Sequence, residues 1–332
     1  VERPRERAIG RVRSLLESSG FYVSDAHAIR PTSFDLLARR DSLLIIVKVL
    51  KNIDALDPRE AKRFRELSFL FPAIPFVVGQ TSGASELEVG VVYNRYGLPI
   101  ISEATLEEYV GKGVPPFLVS SPGGVFAQID GGRLRALREL HRLSLGALAG
   151  VAGVSRRTIQ LYEDGGGAEM SVVERIEGYL GEPIARPVDL FAAVLDSEPA
   201  PGDARPGGRR VPRRPPTATG DPVRDGVFRQ LGGMGWQVTV TIRCPFDAFS
   251  QAPSKGEEEI LLTSVGSIKA AQQRAEVLQK LARVAEGHAL FVVQELASPK
   301  PIDGLAVLTV RELRKHRDRG ELLDAINEQE AA

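Results

Sequence analysis

The stretch from Leu137 to Gly165, LRELHRLSLGALAGVAGVSRRTIQLYEDG, leaves little freedom in how it folds. Ser144 stands where a helix cap is needed, and Leu145, Leu148, Ala149 and Ala152 follow at helical spacing. Gly153 supplies the backbone freedom of a tight turn, and Ser155 caps a second helix. That helix, Ser155–Asp164, places Ile159 and Tyr162 on one face and both Arg156 and Arg157 in its first turn. Leu148, Val154 and Ile159 are the expected core of the pair.

This stretch resembles the Cro/repressor-like, or XRE, helix-turn-helix family. Leu143-Ser144, Leu148-Ala149, Gly153-Val154-Ser155, Thr158-Ile159, and Tyr162-Glu163 with Gly165 stand where that family's pattern requires them. The resemblance implies that the second helix enters the major groove of double-stranded DNA. Arg156, Arg157, Gln160 and Leu161 then face base edges, while Ser144, Ser155 and Thr158 face phosphates or cap helices. Two adjacent arginines on a surface helix usually mark a solvated face, but their place in the pattern favours bases. Arginine matches the paired acceptors of guanine. The family commonly reads palindromic sites as a two-fold dimer, which implies a homodimer. One departure is Leu145, where the family often has a glutamine that touches phosphate. Backbone amides or the Ser144 hydroxyl are expected to take over that contact.

The whole chain narrows the possibilities further. Its 332 residues point to two or three domains. The 43 basic and 43 acidic side chains cancel, so nucleic-acid binding must rest on a local patch. Residues 133–157 supply one: Arg133, Arg135, Arg138, Arg142, Arg156 and Arg157 stand against Glu139 alone. Cys244 is the single cysteine, which rules out an intrachain disulfide and a cysteine-based zinc site and fits a reducing compartment. The histidines show no metal-ligand spacing, and neither metal nor cofactor is expected. The opening VERPRERAIG has no signal-peptide core and no run is apolar enough to span a membrane, so a cytoplasmic location without membrane partners is expected.

Either side of the central stretch, the chain repeats itself. Residues 4–19 form an amphipathic helix, followed by an edge strand at Phe21–Val23, a strand pair over 33–38 and 43–49, a helix over 58–71 and further strands at 75–78 and 98–101. The run Val12–Val23 lies over Val227–Val238 without a gap, pairing Leu16 with Leu231, Gly20 with Gly235 and Phe21 with Trp236. Phe34-Asp35 matches Phe246-Asp247, Leu44–Val49 matches Ile260–Val265, and Phe76–Val78 matches Phe291–Val293. An internal duplication is the economical explanation. The domains expected are an N-terminal α/β domain over 1–114, a strand-like connector over 115–130, the helix-turn-helix domain over 131–195 with a fifth helix at 187–195, a Pro/Arg-rich linker over 196–225, and a repeat of the first domain over 226–332. The linker's Arg205, Arg209, Arg210, Arg213 and Arg214 make it either a soluble tether or a basic arm along DNA.

The flanks resemble the restriction-endonuclease-like fold. Enzymes of that kind hold Mg²⁺ with an Asp at the end of one strand and an acidic residue two positions before a Lys on the next. Asp35 and Lys48 match two of those places, but Ile46 occupies the third. In the second copy Asp247 remains, while Leu262 and Ser264 replace the acid and the lysine. These are the degenerate nuclease-like positions, and no catalytic residue is assigned.

The expected fold class is therefore mixed: a central all-α Cro-like bundle between two duplicated, degenerate α/β domains. The order of parts resembles an archaeal family of regulators. The expected function is sequence-specific DNA-binding transcriptional regulation without enzymatic activity, with an effector or a protein of the transcription machinery as a further partner. The alternatives are a nucleic-acid-processing nuclease-like enzyme, or its inactive subunit, targeted by the helix-turn-helix, and an antitoxin or coactivator in which that motif recruits a protein.

Overall fold

The computed structural model describes residues 4–25, 32–121, 123–190, 219–253, 258–295 and 300–331. In chain order the elements are α1 (Pro4–Ser18), β1 (Tyr22–Asp25), β2 (Leu36–Arg40), β3 (Leu43–Asn52), α2 (Pro58–Leu70), β4 (Ile74–Ser82), β5 (Ser85–Glu86), β6 (Val91–Arg95), β7 (Leu98–Ser102) and α3 (Glu103–Leu106). There follow β8 (Leu118–Ser121), β9 (Gly124–Gln128), α4 (Gly131–Leu140), α5 (Leu145–Ala152), α6 (Arg156–Glu163), β10 (Gly167–Ala168) and α7 (Met170–Leu180). The last part holds α8 (Pro222–Gly233), β11 (Gln237–Val240), β12 (Ala248–Pro253), β13 (Glu258–Gly266), α9 (Ile268–Val284), β14 (His288–Val293), β15 (Ala306–Thr309), α10 (Val310–Leu313) and α11 (Arg319–Glu330). Among the described residues no helix is long and apolar enough to cross a membrane. Two units are formed: one from residues 1–49, 62–75 and 203–332, the other from 50–61 and 76–202.

In the first unit the two copies share their local chemistry. Helix α1 buries Ala8, Ile9, Val12 and Leu16, as its apolar spacing requires. Gly20 then turns the chain at φ +83°, and Phe21 N–H bonds the Leu16 carbonyl at 3.0 Å. Gly235 does the same at φ +97°, with Trp236 N–H on the Leu231 carbonyl at 3.2 Å. A left-handed turn at this point favours glycine in both copies. Strands β1, β2 and β3 pair antiparallel, setting Val23 opposite Ala38 and Leu37 opposite Ile46. Strands β11, β12 and β13 repeat that ladder, and β14 and β15 continue it in parallel.

The copies also dock on each other. Helix α9 buries Ala271, Ala275, Val277, Leu278, Leu281, Ala282 and Val284. Such an apolar helix needs cover on more than one side. It packs on β13 and β14 of its own sheet and on β1 and β2 of the first copy. The expected edge strand β1 thus ends its ladder but has a helix across its face. Phe71, just after α2, meets Phe34, Phe246 and Phe249 edge-on, with centroids 6.2, 5.7 and 5.1 Å away.

The second unit builds a sheet in the order β4-β7-β6-β8-β9-β10, with β5 paired to β4. The stretch expected as a connector contributes β8 and β9, which pair antiparallel through Val119 and Phe126. Beyond it lie α4 to α7, whose core is Leu134, Leu137, Leu148, Ala152, Ile159, Val173 and Ile176. Ala127, Ile129 and Ala168 belong to the same core. The bundle is accordingly not all-α: β9 and β10 close it, because their small apolar side chains face the helices. Residues 187–190 are not helical, and the rest of the expected fifth helix lies outside the described residues. So does most of the expected linker, which is described only from Thr219 onward.

Candidate nucleic-acid interface

Both short helices of the central motif are fixed at their ends. Ser144 Oγ accepts Ala147 N–H at 3.1 Å, and α5 closes on Gly153 at φ +70°. Ser155 Oγ accepts Thr158 N–H at 3.1 Å and shares a hydrogen bond of 2.8 Å with the Thr158 hydroxyl. At the far end of α6, Gly165 N–H bonds the Tyr162 carbonyl at 3.0 Å and Gly166 N–H bonds the Leu161 carbonyl at 2.8 Å. This is the paired closure that a left-handed glycine, here at φ +91°, makes possible.

Two braces hold the motif, and neither was assigned a role from sequence. The first is Glu163, buried at the inner end of α6. It takes Arg135 Nε at 3.2 Å and Arg138 Nη2 at 3.3 Å, while Arg138 Nη1 reaches the Leu143 carbonyl at 3.0 Å. Burial opposes the Glu163 charge, but the hydrogen bonds from Arg138 and Arg135 outweigh it and hold the carboxyl below its ordinary range. The Arg138 guanidinium is correspondingly raised, chiefly by its bond to Glu163. The second brace is Arg175 of α7, whose Nε and Nη2 donate to the Ala152 carbonyl at 3.0 and 2.8 Å. That carbonyl is one of the last of α5, so the cation satisfies a helix C-terminus.

These pairs shrink the basic patch counted along the sequence. Arg135 and Arg138 are bound to Glu163, Arg135 also to Asp164, and Arg133 to Glu182. All three acids lie beyond the 133–157 window. What remains without an acidic partner among the described residues is Arg142, Arg156 and Arg157, all exposed.

Of the candidate DNA-facing residues, Ser144, Ser155, Arg156, Arg157 and Gln160 are exposed, Thr158 is half-buried, and Leu161 is 55% exposed. They lie on α6 and at the start of α5. Arg156 folds back over α5 so closely that a Cβ on Gly146 would stand 2.6 Å from its Nε. Leu145, which replaces the expected glutamine, packs against the bundle core instead.

The nuclease-like positions are occupied by internal contacts. The buried Asp35 carboxylate receives Arg5 Nη2 at 2.9 and 2.8 Å and Val49 N–H at 2.8 Å. Lys48 is buried, with Nζ 3.3 Å from the Ser33 carbonyl. The second copy repeats the plan: Asp247 takes Val265 N–H at 2.8 Å and lies 3.6 Å from Arg224, while Ser264 Oγ is 3.5 Å from the Pro245 carbonyl. Ile46 and Leu262 are fully buried. Among the described residues no three His, Cys, Asp or Glu side chains gather where an ion would fit.

Comparison with known proteins matches residues 5–116 to the PD-(D/E)XK superfamily domain. Near full-length similarity extends to proteins named "Putative HTH-type transcriptional regulatory protein". The one from Methanocella arvoryzae is 35% identical, over 97% of this chain and 96% of its own length. Those from Halobacterium salinarum and Halorubrum lacusprofundi are 36% and 35% identical, over 97% and 99% of this chain and 97% and 98% of their own. No solved structure matches.

Proposed function

The chain belongs to the archaeal family of HTH-type transcriptional regulatory proteins that these relatives represent, and from that premise we propose that it is a Cro-like regulator whose helix α6 reads the major groove. The observation that carries this reading is the pairing pattern around α6. Arg133, Arg135 and Arg138 are each bound to an acid, whereas Arg142, Arg156 and Arg157 are exposed and have no acidic partner among the described residues. Arg156, Arg157 and Gln160 meet base edges, and Leu161 offers an apolar surface suited to a thymine methyl. Ser144 and Ser155 cap the two helices, and with Thr158 they face phosphates.

The regulator acts as a homodimer on two-fold sites, with half-sites about one helical turn apart. It has no enzymatic activity. The PD-(D/E)XK match lends weight to the alternative of a nucleic-acid-processing enzyme or its inactive subunit. Against that alternative stand the bonding of Asp35 to Arg5 and Val49 and the apolar Ile46 and Leu262 at the acidic position. Genome-wide footprinting of the bound DNA tests the proposal. A palindromic motif upstream of a few operons is expected, and binding without sequence preference would overturn it.

A further inference from the structure

The contact between the two copies is reciprocal. Helix α9 of the second copy lies on β1 and β2 of the first. In return Phe71, at the end of the first copy's equivalent helix, lies on Phe246 and on Phe249 in β12, the counterpart of β2. Equivalent segments also touch each other. Ser33, two residues before Asp35, donates N–H to the Arg243 carbonyl at 2.7 Å and its hydroxyl to the Ile242 carbonyl at 3.3 Å, just ahead of Asp247. Phe34 and its counterpart Phe246 share Phe71 as a neighbour. Arg39 Nε reaches the Val284 carbonyl at 2.6 Å, and Nη1 pairs with Glu286 at 3.0 Å. Mutual contact between equivalent patches is the mark of a two-fold interface between identical subunits.

We infer that the duplication has internalised such an interface, so that the face of the first copy formed by β1, β2, Ser33 and Phe71 is a docking site for the second copy of the same chain and for no outside partner. This goes beyond DNA reading and stands whether or not α6 contacts bases. A homodimer then forms through some other surface.

Cys244 reports the contact, because the two residues before it, Ile242 and Arg243, accept the bonds from Ser33. Alkylation of Cys244 by N-ethylmaleimide is to be timed on the full chain at fixed pH. An intrachain contact predicts a rate constant unchanged over a roughly thousandfold dilution of protein, since only an interchain contact follows mass action. Phe71→Asp, which forces a charge into the aromatic cluster, is expected to raise the rate by about tenfold or more. A milder pair guards against misfolding. Arg39→Glu and Glu286→Arg should each speed the reaction, and their combination in one chain should slow it again. An equimolar mixture of the two single variants should stay fast. A wild-type rate that climbs on dilution, or a mixture protected as well as the double variant, would overturn the inference.

Discussion

The guanidinium of Arg156 rests against the α-carbon of Gly146 on the preceding helix, where a methyl group would stand 2.9 Å from Nη2 and 3.0 Å from Cζ. The missing side chain of one residue thus leaves room for another that the DNA-reading proposal depends on. Gly146→Ala should leave the fold intact, because the obstacle is the end of a flexible side chain, and alanine gains about 1 kcal/mol over glycine within a helix. The expected result is an unchanged or higher Tm together with an altered base preference at the position Arg156 reads. An unaltered preference in a binding-site selection would show that Arg156 does not read from this position.

Glu163 ties α6 to α4 through Arg135 and Arg138. Glu163→Gln leaves Arg138, whose side chain is 14% exposed, without its charged partner, and should cost about 3 kcal/mol in denaturant unfolding. The pH dependence follows from the lowered pKa. Because the folded state holds the carboxyl below its ordinary value of 4.5, the contribution is complete above that value and fades as pH falls through the lower folded one. Wild-type stability should therefore drop more steeply in this acid range than that of Glu163→Gln, and parallel curves would contradict the brace.

Gly131 brings the start of α4 against the end of α6. A Cβ there would lie 2.3 Å from the Glu163 carbonyl oxygen and 2.7 Å from that of Tyr162. Both are backbone atoms, so the helices themselves must separate. Gly131→Ala should destabilise the second unit by about 1–3 kcal/mol, the usual range for overpacking. A Tm equal to wild type would show that the crossing is looser than described.

Much of this was legible in the sequence, because it was written in neighbouring residues. The caps at Ser144 and Ser155, the turn at Gly153 and the buried Ile159 follow from local spacing. Glycines 20 and 235, aligned with each other along the sequence, both stand at a left-handed turn. The charge patch was overcounted for the opposite reason. Glu163 and Glu182 lie outside the window in which the arginines cluster, and only folding brings them together. Arg175 carried no signal, since one arginine on an amphipathic helix looks like any solvated cation until a carbonyl is placed before it. Docking of the copies had a faint one: α9 is apolar over more than a single stripe, with Val277, Leu281 and Val284 buried beside the row of Ala271, Ala275, Leu278 and Ala282.

Asp35 is held as a structural latch. Asp35→Asn should lower Tm, and so should Arg5→Ala, with the double variant losing less than the sum because the two share one interaction. Incubation of the wild type with plasmid and Mg²⁺ or Mn²⁺ should leave the DNA supercoiled. Metal-dependent nicking that Asp35→Asn abolishes would establish the enzymatic alternative.

The most direct test of DNA reading by α6 is equilibrium binding of the footprinted sequence and an unrelated duplex, at several salt concentrations, by wild type and by Arg156→Ala/Arg157→Ala. Arginine contacts to guanine contribute about 1–3 kcal/mol of discrimination each. The double variant is expected to keep its Tm, to bind both duplexes about equally and to have lost most of the preference shown by wild type. Full affinity and undiminished preference in that variant would contradict it.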